Sequence, residues 1–182
     1  MKLRFPLAAL AAAVALAGCA GAGPYGAHGH PHGGPSAMAK LEPTRGNGTA
    51  GMAMFHQRGD QLMLHVRVEG LKPGQEHGFH IHEKGDCSSG DGMSTGGHFN
   101  PLGKPHGAHG VGEHHAGDLP SLKADASGRV DVHVTLSGLG IGSGATDIVG
   151  RGLIVHAQPD DYKTQPTGNA GARIACGVIA KA

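Results

Sequence analysis

The residues best suited to chemistry in this chain are histidines, which flank one isoleucine and recur in the segment that follows. His80 and His82 stand on either side of Ile81 in the stretch from His77 to His82, which predicts one strand. Because strand side chains alternate between two faces, both imidazoles point the same way and form half of a metal site. Further candidates lie in a loop rich in Gly and Pro and at the end of a later apolar run: His98, His106, His115, Asp118 and His156.

These seven candidate ligands, six histidines and one aspartate, exceed the four that a single tetrahedral metal needs. Their number therefore indicates two metals that share one ligand. The chain contains 15 histidines in all, which is most simply explained by metal handling. Outside the set, His77 is expected to cap the strand of His80 and His82 or to face solvent, and a contact that supports a metal ligand is the alternative. Solvated side chains are expected for His56, His65 and His133.

Composition bounds both the fold and the partners. The chain of 182 residues is long enough for one domain of ordinary size after removal of a targeting segment. Its net charge of +1 gives no basis for a nucleic-acid partner. Trp is absent and only 3% of residues are aromatic, so the core must be largely aliphatic, and the 34 glycines disfavour long helices.

The N-terminal segment has the features of an export signal. A basic start precedes an apolar run from Leu7 to Leu16, about 10 residues long, whereas spanning a bilayer takes roughly 20. The run ends Leu16-Ala17-Gly18-Cys19, which resembles the lipobox of bacterial lipoproteins and predicts a signal peptide over residues 1–18 and a lipid on Cys19. Ordinary secretory cleavage after a nearby alanine is the alternative. Either route predicts a location in the periplasm or cell envelope, with the membrane contacted only through a lipid on Cys19.

Residues 19–36 and 37–182 differ in composition. The first segment consists mostly of Gly, Ala, Pro and His, cannot bury a core, and is predicted to be a disordered linker. Its run His28-Gly29-His30-Pro31-His32 is either a solvated spacer or a weak, flexible site that captures copper or zinc. The second segment, residues 37–182, is the predicted folded domain.

Strand patterns dominate the predicted domain. In Gln61–Glu69 aliphatic residues alternate with polar ones, and Val130–Leu136 repeats that period of two. About eight such short strands, separated by turns and without helical periodicity, predict an antiparallel all-β sandwich or barrel. Two irregular segments, residues 83–117 and 158–172, are long for a compact domain and are expected to be functional loops.

Two cysteines remain once Cys19 is assigned to the signal. In an oxidising compartment the default for Cys87 and Cys176 is one intramolecular disulfide, and two unpaired thiols are the alternative. The bond would tie the metal-binding loop to the last predicted strand. The chain-entropy model assigns a closed loop of about 90 residues a stabilisation of about 4–5 kcal/mol.

Five stretches of the chain carry a resemblance to a known family. They are Gly78–Glu83, His98–Pro101, His115–Leu119, Val155–His156 and Gly168–Ile179. In this order and at these spacings they resemble the bacterial copper/zinc superoxide dismutases, and the resemblance covers residues 38–181. It implies an eight-stranded Greek-key barrel or sandwich of immunoglobulin-like type. It also implies one copper and one zinc per subunit, and it leaves both a monomer and a homodimer open.

The resemblance divides the candidate ligands between two metals, with His98 as the bridging imidazolate. An all-imidazole site suits copper, and three nitrogens with one carboxylate oxygen suit zinc. The implied copper ligands are His80, His82, His98 and His156, and the implied zinc ligands are His98, His106, His115 and Asp118.

Two neighbouring histidines compete for the zinc positions, because His109 and His114 lie in the same loop. His106 stands at the family's spacing, eight residues after the bridging histidine, and is preferred to His109. His115 is preferred to His114 because Asp118 follows it by three residues, as the family motif requires.

Other residues match the family's working parts. Arg173 matches its active-site arginine, which would position superoxide and help to attract it; without the motif it would be taken for a surface arginine that starts a strand. Asp160 matches an aspartate that links a copper histidine to a zinc histidine. By the same resemblance, His98 would take up a proton when copper is reduced and help to deliver it to the peroxide.

The resemblance therefore implies an enzyme, a superoxide dismutase whose substrate is superoxide. Copper would cycle between Cu(II) and Cu(I), releasing dioxygen and then hydrogen peroxide, while zinc has no redox chemistry and would be structural. We expect such an enzyme to protect the bacterial cell envelope. One alternative is a non-catalytic copper/zinc-binding or copper-buffering module on the same fold. Another is a zinc hydrolase, which four zinc ligands disfavour because they leave no position for water.

Overall fold

The computed structural model describes residues 1–2 and 34–182. The predicted signal peptide, the lipidation of Cys19 and the run His28–His32 lie outside the described residues. Within the described part, no helix has both the length and the apolar character needed to cross a membrane. The folded unit is the one that contains residues 34–182.

Strands account for nearly all regular structure in residues 34–182, which confirms the predicted all-β class. The strands alternate buried and exposed side chains where one face is open to solvent, as in Gln61–Glu69. A single turn of 3-10 helix covers Met93–Thr95. The strands are β1 Ser36–Pro43, β2 Ala50–Arg58, β3 Gln61–Glu69, β4 Glu76–His77, β5 Phe79–His82, β6 Leu122–Lys123, β7 Val130–Ser137, β8 Gly152–His156, β9 Arg173–Val178 and β10 Ala180–Lys181.

The main sheet is antiparallel and folds back on itself through β1. Its strand order is β5-β8-β9-β1-β2-β3-β7, with β10 also paired to β1, while β4 and β6 form a separate pair. The first part of β1 pairs with β2 from Ser36 to Leu41, whereas Glu42 and Pro43 pair with β9. One strand therefore joins the β2-β3-β7 side to the β5-β8-β9 side, and it begins one residue before the expected domain start.

The core lies between these two sides and is aliphatic, as the composition predicts. Among its largest fully buried side chains are Phe55 from β2, Leu62 and Leu64 from β3, Ile81 from β5 and Leu153 from β8. Burying a side chain of this size contributes about 1.5–3 kcal/mol, so the alternation along each strand is the main source of stability. The predicted alternation of β3 is confirmed, because each of its aliphatic residues faces inward.

The prediction of one continuous strand from His77 to His82 is wrong, because the chain divides at Gly78. The Gly78 N–H donates to the Gln158 carbonyl, and its own carbonyl accepts from the His156 N–H, each at 2.8 Å. A side chain at position 78 would meet the Ala170 methyl at 2.7 Å, so only glycine fits. Gly78 therefore separates β4, which pairs with β6, from the strand β5.

The disulfide between Cys87 and Cys176 is confirmed. Their Cα atoms lie 5.9 Å apart, within the ordinary range for a disulfide, and 89 residues separate them in sequence. Cys176 belongs to the middle of β9, which pairs with both β1 and β8. The bond therefore fixes the start of the long segment 83–117 against the main sheet.

Candidate metal centre

Strand β5 presents two histidines on the face opposite the core. Phe79 and Ile81 point into the hydrophobic core, and the alternation sends His80 and His82 to the other face. Both imidazoles are nonetheless fully buried, so the segment that follows must cover them. The expectation that these two histidines share a face is met.

The loop after β5 returns along that strand through backbone hydrogen bonds. The Ile81 N–H donates to the Gly117 carbonyl at 2.9 Å, and the Ile81 carbonyl accepts from the Phe99 N–H at 2.8 Å. Phe99 also accepts from Gly117 at 2.8 Å. Any side chain at position 117 would run into the Ile81 carbonyl, so this close approach requires glycine. The arrangement sets His98 directly beside His82.

Four imidazoles meet at this position, contributed by β5, by the loop and by the end of β8. We call them the four-histidine cluster: His80, His82, His98 and His156. One nitrogen of each ring lies within 4.8 Å of the corresponding nitrogens of the others. His156 reaches the group because the register of β8 against β9 shifts between Val155 and His156.

Each ring of the four-histidine cluster is held by one nitrogen and leaves the other without a partner. His80 Nε2 donates to Asp160 at 2.7 Å, His82 Nδ1 to the Gly96 carbonyl at 3.0 Å and His156 Nδ1 to the Gly171 carbonyl at 3.2 Å. The buried nitrogens without hydrogen-bond partners are His80 Nδ1, His82 Nε2, His98 Nε2 and His156 Nε2.

A second group converges on one carboxylate oxygen, and we call it the Asp118 cluster: His98, His106, His115 and Asp118. Asp118 Oδ1 lies 2.8 Å from His98 Nδ1, 3.0 Å from His106 Nδ1 and 3.2 Å from His115 Nδ1. His106 Nδ1 is close to this oxygen but lacks the geometry of a hydrogen bond. His98 belongs to both clusters, through Nε2 on one side and Nδ1 on the other.

Asp160 accepts hydrogen bonds from one ring of each cluster. Its Oδ2 accepts from His80 Nε2 at 2.7 Å, and its Oδ1 accepts from His106 Nε2 at 2.9 Å. Gly168 packs against this carboxylate with no space for a side chain. The same aspartate thus orients one ring that belongs only to the four-histidine cluster and one that belongs only to the Asp118 cluster.

Burial sets the charge of the four-histidine cluster. It lowers the pKa of His80 to about 4, despite the hydrogen bond to Asp160. It also lowers the pKa of His82 well below the usual value, and the positive charge of Arg173 adds to the effect. Burial and the neighbouring His80 lower the pKa of His156 in the same way. The rings of His80, His82 and His156 are therefore neutral at pH 7, which is the form that binds a metal ion.

Asp118 and Asp160 remain ionised although they are buried. Burial would raise the pKa of Asp118, but the positive charge of the adjacent His106 ring and the hydrogen bonds from His98 and the Gly107 N–H outweigh it and hold the pKa well below its usual range. The pKa of Asp160 is likewise held low by hydrogen bonds from His106 and His80, against the effect of burial. Burial would lower the pKa of His106, yet the two carboxylates raise it to about 9. Two ionised carboxylates thus add negative charge to a buried group of imidazoles.

Arg173 is fixed at the edge of the four-histidine cluster. Its Nη1 donates to the Gly92 carbonyl and to Thr95 Oγ1, and its Nη2 donates to the Gly96 carbonyl, each at 2.7 Å. The Gly96 carbonyl also accepts from His82, so one peptide group holds both the arginine and a cluster ring. Among residues 34–182, no acidic side chain forms an ion pair with Arg173, and its charge is available to an anion.

The competing histidines stay outside both clusters. His109 and His114 pack against each other, with ring centroids 4.9 Å apart. His109 Nδ1 donates to the Asp118 carbonyl at 3.1 Å and His114 Nδ1 to the His115 carbonyl at 2.7 Å. They support the backbone of the Asp118 cluster.

Of the expectations for His77, the contact that supports a candidate metal ligand is the one that the structure fits. The ring is buried, and its Nδ1 donates to the His156 carbonyl at 2.8 Å. Sequence reasoning missed the Gly96 and Gly171 carbonyls as partners of the cluster rings, and Thr95 Oγ1 as an acceptor from Arg173. Carbonyl acceptors leave no signal in a sequence, because every residue carries one.

The donor sets fit the metals that the resemblance implies. Four buried imidazole nitrogens without hydrogen-bond partners form a set that suits copper. Three Nδ1 atoms around one carboxylate oxygen form a four-ligand set that suits zinc and leaves no open position. A buried polar atom without a hydrogen-bond partner destabilises the fold, so several of them in one place indicate metal ligands. The fold and the site define an all-β protein with two adjoining groups of side chains that could each hold a metal ion.

Comparisons with known proteins identify the family. The family model described as copper/zinc superoxide dismutase (SODC) matches residues 49–179. The chain is 40% identical over 147 residues to superoxide dismutase (Cu-Zn) 2 of Aquifex aeolicus (strain VF5), covering 79% of this chain and 85% of that protein. The chain belongs to the copper/zinc superoxide dismutase family. The name of the family implies that its members bind copper and zinc.

Other relatives carry less specific names. The chain is 46% identical over 122 residues to superoxide dismutase-like protein YojM of Bacillus subtilis (strain 168), covering 65% of this chain and 62% of YojM. It therefore spans less than two thirds of that relative's length. Solved structures with the same fold include a superoxide dismutase-like protein from Bacillus subtilis, with 40% identity, TM-score 0.70 and coverage of 78% of this chain and 96% of that one. Another is the clock protein EA4, with 37% identity, TM-score 0.73 and coverage of 80% and 93%.

Proposed function

We propose that this chain is an active superoxide dismutase that converts two superoxide anions and two protons into dioxygen and hydrogen peroxide. The observation that carries the proposal is the position of His98, whose two ring nitrogens belong to two different donor sets. Each chain holds one copper in the four-histidine cluster and one zinc in the Asp118 cluster. Copper, when bound, supplies a one-electron couple, whereas zinc supplies none.

The protein's own residues contribute orientation and proton handling. His98 Nδ1 lies on the side of Asp118, so the opposite nitrogen, Nε2, faces the four-histidine cluster. In the proposed cycle, this Nε2 holds a proton that is then passed to peroxide. The hydrogen bonds from Asp160, Gly96 and Gly171 keep the other three rings in place while that proton moves.

Arg173 gives the site its preference for an anion. A guanidinium remains charged at any working pH, and three hydrogen bonds to the loop fix its direction beside His82. It attracts superoxide and holds it at the edge of the four-histidine cluster.

The name of one relative favours a second candidate function. YojM is called superoxide dismutase-like, which is compatible with a non-catalytic metal-binding or copper-buffering module on this fold. The residues of this chain favour catalysis instead, because a buffer needs the four imidazoles but has no use for an arginine fixed beside them.

The setting of the enzyme is also part of the proposal. The N-terminal pattern supports export to the periplasm or cell envelope, with a lipid on Cys19 as the link to the membrane. There the enzyme would remove superoxide that reaches the envelope. The near-neutral net charge of the chain gives no basis for a nucleic-acid partner.

Metal analysis paired with a dismutase assay tests the proposal. The full chain is loaded with copper and zinc, its metal content is measured, and superoxide decay is followed by pulse radiolysis. One copper and one zinc per chain with rapid decay support the enzyme. Full copper occupancy without activity contradicts it and supports the buffering module.

A further inference from the structure

A second group of metal-binding side chains lies on the outer face of the β2-β3-β7 side. Four of the six methionines of the chain stand on outward positions of β1, β2 and β3, interleaved with histidines. An outward sheet face ordinarily carries polar residues, so this composition calls for another cause. We call the group the Met-His face: Met38, Met52, Met54, Met63, His56, His65 and His133.

The strand register brings soft and imidazole donors together on this face. Met54 is the cross-strand partner of His65, and His65 is the partner of His133. Directly opposed residues of an antiparallel pair have Cβ atoms about 4.5–5.5 Å apart. Met63 precedes His65 by two residues and therefore shares its face. Met54, Met63 and both histidines line one open cavity of about 920 Å³.

The two histidines are already arranged as a pair. Their rings stack with centroids 4.0 Å apart and an angle of 15° between planes. His65 Nε2 donates to Asp131 Oδ1 at 2.7 Å, and donor atoms of His65, His133 and Asp131 all lie within 4.8 Å of one another. The other oxygen of Asp131 accepts from Arg67 at 3.1 Å, which leaves the two imidazoles as the main nitrogen donors.

We propose that this face binds a further copper ion, as Cu(I), through one ring nitrogen each of His65 and His133 and the thioethers of Met54 and Met63. Thioether sulfur is a soft donor that favours Cu(I) over zinc or hard cations, and imidazole accepts copper readily. The site is separate from the metal centre, whose ligands come from β5, β8 and the loops, whereas these come from β2, β3 and β7. It goes beyond the proposed dismutase function and does not depend on it.

An anaerobic titration of the full chain with Cu(I) tests this site. The centre is first filled with copper and zinc, and Cu(I) is then added in competition with bicinchoninate, a chromogenic Cu(I) chelator. Because Gly34 at the cavity follows the run His28–His32 in sequence, all samples carry His28→Gln, His30→Gln and His32→Gln. We expect one Cu(I) per chain beyond the metals of the centre.

Two double variants and one control identify the ligands. We expect His65→Gln with His133→Gln, and Met54→Leu with Met63→Leu, each to weaken Cu(I) binding by at least about 100-fold, since even indirect supports of a ligand are worth 10–100-fold. Met93→Leu removes an exposed methionine elsewhere and should leave the affinity unchanged. Melting temperature and dismutase activity should not change, because none of these side chains belongs to the core or the centre.

Three results would overturn the proposal. They are the absence of any Cu(I) beyond the centre, an unchanged affinity in either folded double variant, and binding of Zn(II) as tight as that of Cu(I). X-ray absorption at the copper edge gives an independent readout, because sulfur neighbours of the added copper should disappear in Met54→Leu with Met63→Leu.

Discussion

Asp160 Oδ2 accepts a hydrogen bond from His80 Nε2 at 2.7 Å, and neither side chain is exposed to solvent. The second oxygen of the same carboxylate holds His106 at 2.9 Å. Two rings that belong to different clusters are therefore oriented by one ionised group. Removal of the Asp160 carboxylate should therefore affect both donor sets at once. Among the side chains of the described residues, only His98 and Asp118 could also do this directly.

The substitution Asp160→Asn should weaken the retention of both copper and zinc. An amide has one acceptor oxygen, so it can orient only one of the two rings, and it lacks the negative charge. Partners of this kind are worth about 10–100-fold in metal affinity. The measurement is metal content after equilibration with graded chelator, and Asp161→Asn, at an exposed neighbour, is the matched control. Equal retention in the two variants would show that Asp160 does not orient the ligands.

The parts of the site that were predictable depend on local spacing. His80 and His82 share a face because a strand has a period of two, and Asp118 follows His115 by three residues in one tight turn. Neither prediction requires knowledge of any distant segment. The alternation of β3 was predictable for the same reason.

The parts that were not predictable depend on contacts between distant segments. The preference for His106 over His109 came from the family's spacing, whereas the contact that holds His106 did not: Gln165 donates to its carbonyl at 2.9 Å and accepts from its N–H at 2.8 Å. Gly78 interrupts the predicted strand because Gln158 and Ala170 crowd it. His65 and His133 were expected to be merely solvated, since the pairing of β3 with β7 that stacks them is not visible in either segment alone.

Removing one ring that belongs to a single cluster should separate the two metals. His82→Ala takes a nitrogen from the four-histidine cluster only, so copper and activity should be lost while zinc remains bound. His115→Ala takes a nitrogen from the Asp118 cluster only, and it should lose zinc with copper largely retained. Elemental analysis of both variants after dialysis checks this. Unchanged activity in His82→Ala would remove that residue from the copper site.

Substitution of Arg173 should lower the capture of superoxide without removing metal. Arg173→Ala deletes the charge beside His82 and should reduce kcat/KM roughly tenfold or more, with a weaker dependence on salt. Arg173→Lys keeps the charge but cannot reproduce three hydrogen bonds, so its rate should fall between the two. Arg45→Ala, which removes an exposed arginine, is the control. Normal kinetics and normal salt dependence in Arg173→Ala would exclude a role in attracting the substrate.

The disulfide should stabilise the fold through the length of the loop that it closes. Cys87 and Cys176 are 89 residues apart, for which chain entropy gives about 4–5 kcal/mol, a large share of the roughly 5–15 kcal/mol that stabilises an ordinary domain. The double variant Cys87→Ser with Cys176→Ser should therefore unfold at lower denaturant concentration. Equilibrium guanidinium unfolding of the metal-free proteins measures the difference, because bound metal would add its own contribution to the folded state. A loss below about 1 kcal/mol would mean that the backbone hydrogen bonds of the loop, and not the covalent link, hold it against β9.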